Sequence, residues 1–276
     1  MRRLFTAMLL TAALASADGL EVVRAAISDS DGGPPNAASA AYHPGDSLYF
    51  TCRVAGFARD ASEQVRLTYT VTATDPHGVP LAEPYKNSVS AEVTPQDKDW
   101  LPKIEASVNL PSLLFGGEYK MKVQVEDIVA KASASLEVPF KVQGREDIHP
   151  VEALEVQAFR FLRKEDDTKA AERAAYVPGD HLWAKFDITG FRYGPSNRID
   201  VSYVTSVLGA DGATLWTQRE PAGEKSESFY PHAFVPAEMG LELQAKIKPG
   251  AYTLVVQAKD AIGNQTCEIR KPFTIQ

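Results

Sequence analysis

Tyr42-His43-Pro44-Gly45-Asp46-Ser47-Leu48-Tyr49-Phe50 is the stretch that decides the fold, because the chain contains it twice. The second copy, Tyr176-Val177-Pro178-Gly179-Asp180-His181-Leu182-Trp183-Ala184, begins 134 residues later (176 minus 42), and each copy runs on to a Gly-Phe pair, Gly56-Phe57 and Gly190-Phe191. Pro-Gly-Asp is turn chemistry: proline presets φ, glycine accepts a positive φ, and aspartate bonds back to its own backbone. After the turn the pattern alternates. Leu48, Phe50, Cys52 and Val54 share one parity, and Tyr49, Thr51 and Arg53 the other. In the second copy Leu182, Ala184, Phe186 and Ile188 alternate with Trp183, Lys185, Asp187 and Thr189. A period of two with apolar residues on one parity predicts a strand with one face on a core and the other in solvent.

Working outward, residues 20–81 align on 154–215 without a gap. Leu20-Glu21-Val22 and Leu154-Glu155-Val156 read as opening strands. A variable polar stretch follows in each copy, and Thr168 to Ala175 reads as a short helical turn. Val65, Leu67, Tyr69 and Val71, matched by Ile199, Val201, Tyr203 and Thr205, predict the next strand. Asp75-Pro76-His77-Gly78 and Ala210-Asp211-Gly212 then predict hairpin turns, with Leu81 and Leu215 opening the return strands. The middles diverge: the first copy has strand-like runs at 89–93 and 104–110, and the second has Phe229 to Val235 followed by a longer insertion from Pro236 to Lys248. The copies rejoin, one residue out of step, at Gly117-Glu118-Tyr119 and Gly250-Ala251-Tyr252. Asp127 and Asp260 end these strands. Pro139 and Pro272 lie in the last strands and, having no N–H to give a ladder, place them at an edge or a bulge. Many short alternating runs with little helical periodicity predict an all-β chain of two tandem antiparallel sandwiches.

A chain of 276 residues has room for about two domains of ~100–150 residues. At 44% hydrophobic residues there is enough apolar material for two cores. Met1-Arg2-Arg3 and the apolar run from Leu4 to Leu14 read as a signal peptide, with Ala15-Ser16-Ala17 as a small-x-small cleavage site. A retained signal anchor is the alternative, but the run is short for a membrane span. The expected organisation is a signal peptide at 1–17, a first sandwich at 18–146 and a second at 147–276, with the boundary in the polar segment from Gln143 to Pro150. The expected location is extracytoplasmic, periplasmic or secreted, with no transmembrane segment in the mature chain. The formal charge is −7, and −9 once Arg2 and Arg3 leave with the leader. Such acidity argues against nucleic-acid binding, which needs a basic footprint.

Gly250-Ala251-Tyr252, followed by Val256-Gln257-Ala258-Lys259-Asp260-Ala261-Ile262-Gly263-Asn264, resembles the penultimate strand and last hairpin of bacterial immunoglobulin-like domains. Tyr-x-Pro-Gly-Asp-x-Leu resembles the early strand of macroglobulin-type sandwiches. The first copy departs at its hairpin, where Asp127-Ile128-Val129-Ala130 stands, and neither copy has the paired cysteines of antibody domains. The resemblance implies extracytoplasmic adhesion, scaffolding or ligand display, and no chemistry.

No Gly-x-Ser-x-Gly elbow, P-loop or dinucleotide fingerprint is present, and no cofactor is expected. His43, His77, His149, His181 and His232 form no metal-spaced pair and read as loop histidines. Asp29-Ser30-Asp31-Gly32 opens like a calcium loop without its later ligands and reads as a turn. Asp127 and Asp260 read as hairpin caps, with a calcium site as the alternative. Cys52 and Cys267 fall in different copies and read as unpaired thiols inside their cores. The candidate contact residues are aromatic. Tyr49 and Trp183 take equivalent outward positions, while Trp100 and Trp216 lie in the divergent middles. They suit either packing within the protein or contact with a partner. The sequence therefore predicts a non-catalytic module whose partner is a protein or envelope component. The rivals are a glycan-binding accessory protein using these aromatics, and a hydrolase with a site between the sandwiches or in the Pro236 to Lys248 segment.

Overall fold

The structure, a computed structural model, describes residues 19–37, 40–94, 96–97 and 99–276. The expected signal peptide lies outside the described residues. The chain is all-β. Its strands are β1 (Glu21–Ser28), β2 (Ala41–Tyr42), β3 (Ser47–Ala55), β4 (Gln64–Thr74), β5 (Tyr85–Glu92), β6 (Lys103–Asn109), β7 (Gly117–Asp127) and β8 (Ala132–Val142) in the first half. The second half has β9 (Glu155–Leu162), β10 (Ala175–Tyr176), β11 (His181–Thr189), β12 (Ile199–Leu208), β13 (Thr214–Thr217), β14 (Ala222–Ser226), β15 (Val235–Glu242), β16 (Gly250–Asp260) and β17 (Gln265–Ile275).

Each half builds a small and a large sheet. In the first, β1-β3-β6 faces β2-β8-β7-β4-β5; in the second, β15-β11-β9 faces β10-β17-β16-β12-β13, with β14 also paired to β12. The two-residue strands β2 and β10 run parallel to β8 and β17, and the other pairings are antiparallel. The alternation read from the repeat is what fills the space between the sheets. Leu48, Phe50, Cys52 and Val54 from β3 pack with Val65, Leu67, Met121 and Val123 from the facing sheet. Leu182, Ala184, Phe186 and Ile188 play the same part in the second half.

The duplicated turn does what its residues dictate. Asp46 Oδ2 accepts from the His43 N–H at 2.7 Å, and Asp180 Oδ2 from the Val177 N–H at 2.9 Å. Gly45 and Gly179 both sit at φ +90°, in the left-handed region that glycine enters without a Cβ penalty. The tyrosine before each turn is buried edge-on against a phenylalanine from the last strand, Tyr42 on Phe140 at 6.0 Å and Tyr176 on Phe273 at 6.2 Å. Tyr119 and Tyr252 stack on those same rings and hand their hydroxyl protons to the carbonyls four residues back, Phe115 at 2.9 Å and Lys248 at 2.6 Å. Pro139 and Pro272 lie on β8 and β17 just before the short parallel pairings begin, on an edge that asks no N–H of them.

Four expectations are corrected. Residues 168–174 form no helical turn; Ala171 donates to the Phe161 carbonyl and Thr274 to that of Ala174, so the segment runs as bent, irregular chain tied to β9 and β17. Pro236 to Lys248 is not an insertion, since its first part is β15, which pairs with β11 as β6 pairs with β3. Leu81 opens no return strand: only a Thr74–Pro80 bridge forms there, and pairing resumes with β5 at Tyr85. Finally, Asp187 and Thr189, on the outward parity of β11, are buried. The segment after residue 142 folds back over that face.

Candidate functional site

Three features emerge from the side chains: a packed junction between the halves, saturated carboxylates at the hairpins, and a pair of open grooves on the large sheets.

The junction explains Asp187. The polar segment that links the halves carries Arg145, whose guanidinium forms an ion pair with Asp187 Oδ2 at 2.8 Å and gives two N–H groups to Asp147 at 3.0 and 2.9 Å. The Asp187 carboxylate is almost fully enclosed; burial pushes its pKa up, and Arg145 opposes that shift without cancelling it. Asp147 is held below the ordinary carboxylate range by its bond to Arg145. Gln157, opposite Asp187 on β9, bonds both the N–H and the carbonyl of His149. Ile148, Ala233 and Phe234 form a small apolar cluster over this face, joined by Leu113 and Phe115 from the first half. Tyr230 reaches across to Asp75 Oδ2 at 3.0 Å, and the Ala233 N–H donates to the Leu113 carbonyl at 2.9 Å.

At the hairpins, Asp127 accepts from the N–H groups of Ala58, Val129 and Ala130 at 2.6, 2.8 and 3.0 Å. Asp260 accepts from those of Arg192 and Ile262, both at 2.9 Å, and from Gln265 Nε2 at 3.3 Å. Each carboxylate therefore caps its own hairpin and ties down the loop after the Gly-Phe pair. Their oxygens already serve N–H donors, which is the capping role. Among the described residues no group of three or more His, Cys, Asp or Glu gathers with metal-binding geometry.

The grooves were not foreseen. In the second half, Ser202, Val204, Gln257, Lys259, Thr266 and Glu268 line an open depression of about 590 Å³ on the outer face of the large sheet, with Pro221 at its rim. In the first, Thr68, Thr70, Lys86, Asn87, Gln124 and Glu126 line one of about 510 Å³. Ser202, Val204, Gln257 and Lys259 are the repeat counterparts of Thr68, Thr70, Gln124 and Glu126. Short side chains on one strand, Thr68 and Thr70 or Ser202 and Val204, beside a glutamine on the next, leave space between longer neighbours. In the second half Gln257 donates to Glu268 at 2.9 Å. The signal in the sequence was the outward parity of these strands, which reads as ordinary solvated surface.

The four aromatic candidates are half-buried and are not brought together. Tyr49 lies on β3 of one small sheet, opposite Ser28 and Ser107. Trp183 lies on β11 of the other, its ring laid over Gly240 of β15, where a Cβ would stand only 2.5 Å from it. Trp100 packs edge-on against Phe57 at 5.7 Å and against the first core. Trp216, on β13, packs against the second. Cys52 is buried and Cys267 half-buried; both are free thiols, and burial pushes the Cys52 pKa up to about 12.

No family model matches the sequence, and no curated protein matches it. Among solved structures, the C-terminal domain of the AgI/II polypeptide BspA from Streptococcus agalactiae is similar over 93% of this chain and 99% of that one, at 11% identity and a TM-score of 0.29. A superposition that loose carries no argument about this chain. No helix among the described residues is long and apolar enough to cross a membrane.

Proposed function

We propose that the protein is an extracytoplasmic, non-catalytic binding module of two tandem immunoglobulin-like, macroglobulin-type domains, divided near residue 147 and released from a signal peptide at 1–17. Its partner is a protein or envelope component. The observation that carries this reading is a groove on the outer face of each large sheet, the two sharing repeat-equivalent positions along β4 and β7 and along β12 and β16. Matched hydroxyl and amide groups at two places on one chain suit a surface that engages a partner at two points, where linkage multiplies weak contacts. The buried carboxylates, by contrast, are consumed in holding loops and the junction, which suits a scaffold. In this reading Tyr49, Trp183, Trp100 and Trp216 are secondary contacts, since each already packs in part on the protein itself.

The test is retention of a partner from envelope extract by immobilised protein, compared with Gln124→Arg, Gln257→Arg and the double variant. Each single variant is expected to weaken retention, and the double to abolish it. Retention unchanged in the double variant overturns the groove assignment. Turnover of a substrate, abolished by one point substitution, overturns the non-catalytic reading.

A further inference from the structure

β5 lies at an open edge of the five-stranded sheet. The strand is eight residues, Tyr85-Lys86-Asn87-Ser88-Val89-Ser90-Ala91-Glu92, with no proline and a regular register to β4. An exposed, unbroken edge of this length offers a row of backbone groups to another strand.

Which groups face out follows from the ladder. Just beyond the strand, the Val93 N–H bonds the Glu63 carbonyl at 2.9 Å. In an antiparallel ladder bonding residues alternate, so Tyr85, Asn87, Val89 and Ala91 bond β4, while Lys86, Ser88, Ser90 and Glu92 turn their N–H and C=O groups to the open side. Ser88 confirms the parity: its N–H has no ladder partner and is capped at 2.8 Å by the side chain of Asn87.

We propose that β5 pairs antiparallel with β5 of a second copy of this chain, about a two-fold axis through Val89. In that register Lys86 lies opposite Glu92 of the second copy, and Ser88 opposite Ser90 of the second copy. These are the residues whose backbone groups face out, so the ladder closes at every pair. The register brings opposite charges together twice, once on each side of the axis. All four residues are exposed, and neither Lys86 nor Glu92 takes part in an ion pair among the described residues. The Asn87 side chain swings away from the Ser88 N–H when a strand arrives.

The other edges are closed to this. β1 and β9 each carry a register shift beside a non-glycine residue at positive φ, Arg24 and Ala158. β15 contains Pro236 and sets Glu238 and Glu242 along one side. β6 is shorter, and its Lys103 is already paired with Glu105. The counterpart of β5 in the second half is broken into β13 and β14 by the stretch from Gln218 to Pro221. β8 and β17 are covered on their outer sides only at their last residues, by β2 and β10, and Pro139 and Pro272 interrupt the remainder. A two-fold pairing of β5 with itself closes as a dimer.

The experiment is sedimentation equilibrium on the purified protein between about 1 and 100 µM. Wild type is expected to form a dimer. Glu92→Lys sets like charges opposite each other twice and is expected to raise the dissociation constant about tenfold or more. Lys86→Glu added to Glu92→Lys is expected to restore pairing. Ser88→Pro removes an outward N–H without touching the β4 ladder, so it is expected to leave the thermal midpoint near wild type and abolish the dimer. A wild type that stays monomeric throughout, a dimer indifferent to Ser88→Pro and Glu92→Lys, or a double charge swap that restores nothing would each overturn the proposal.

Discussion

Gly190 sits at φ +72°, and a Cβ placed on it would stand 2.0 Å from the Ala153 carbonyl oxygen. Its counterpart Gly56 has φ +68° and the Gly19 carbonyl oxygen at 2.2 Å. Two penalties meet there, the left-handed backbone and a collision with main chain that cannot swing aside. Gly190→Ala and Gly56→Ala are each expected to cost at least ~3 kcal/mol, read as a shift in urea midpoint at constant slope. Gly179→Ala is the comparison, because φ is +90° there but no atom lies within 4 Å of the added methyl. It is expected to cost only about 1–2 kcal/mol. The turn role of Gly179 was legible from Pro-Gly-Asp. The collision at Gly190 was not, since the opposing carbonyl comes from a segment 37 positions earlier (190 minus 153).

The hairpin of β16 and β17 shows how one side chain organises an element. Asp260 ends β16, holds the Ile262 N–H within its turn and the Arg192 N–H of the loop after β11. Replacing it by alanine takes the shared acceptor away from both part-buried N–H groups. Asp260→Ala is expected to destabilise by about 1–2 kcal/mol, with Asp260→Asn losing less because it keeps one acceptor. Hydrogen exchange gives the sharper reading: the Arg192 and Ile262 amides should lose protection before the strand centres do. The hairpin was visible in the sequence as Asp-Ala-Ile-Gly-Asn. The tie to Arg192 required the fold, which lays the strand end of β16 beside the loop that follows Gly190-Phe191.

Between the two sandwiches, Arg145 decides how firmly the linking segment lies on β11. Arg145→Ala leaves the enclosed Asp187 without its cation. The expected loss at neutral pH is about 2–3 kcal/mol, less than for a fully buried pair because the guanidinium is 38% exposed. The pH dependence has a definite sign. Burial raises the folded pKa of Asp187, so the folded protein holds that proton more tightly than the unfolded chain. Its contribution is fully present below the unfolded value of about 3.9 and is lost as pH rises through the folded value. Asp187→Asn removes this dependence. The stability of the variant minus that of wild type is therefore expected to rise with pH between about 3 and 7 in denaturation curves. A flat difference would show that the carboxyl is not perturbed.

Alternation, turn residues and duplication act over a few residues at a time, and for that reason the sequence alone was enough for the strands that the repeat marks, the two cores and the capping carboxylates. Leu48 and Leu182 face inward because neighbours two positions apart share a side of any strand. Parity says which residues share a face and nothing about what lies over it. Asp187 and Thr189 are buried because a segment from elsewhere folds across them, Pro236 to Lys248 is half strand because β11 has an edge to fill, and the two grooves exist because strands distant in the chain set short side chains next to each other. Each of these depends on a long-range meeting, and only the folded arrangement of the sheets decides it.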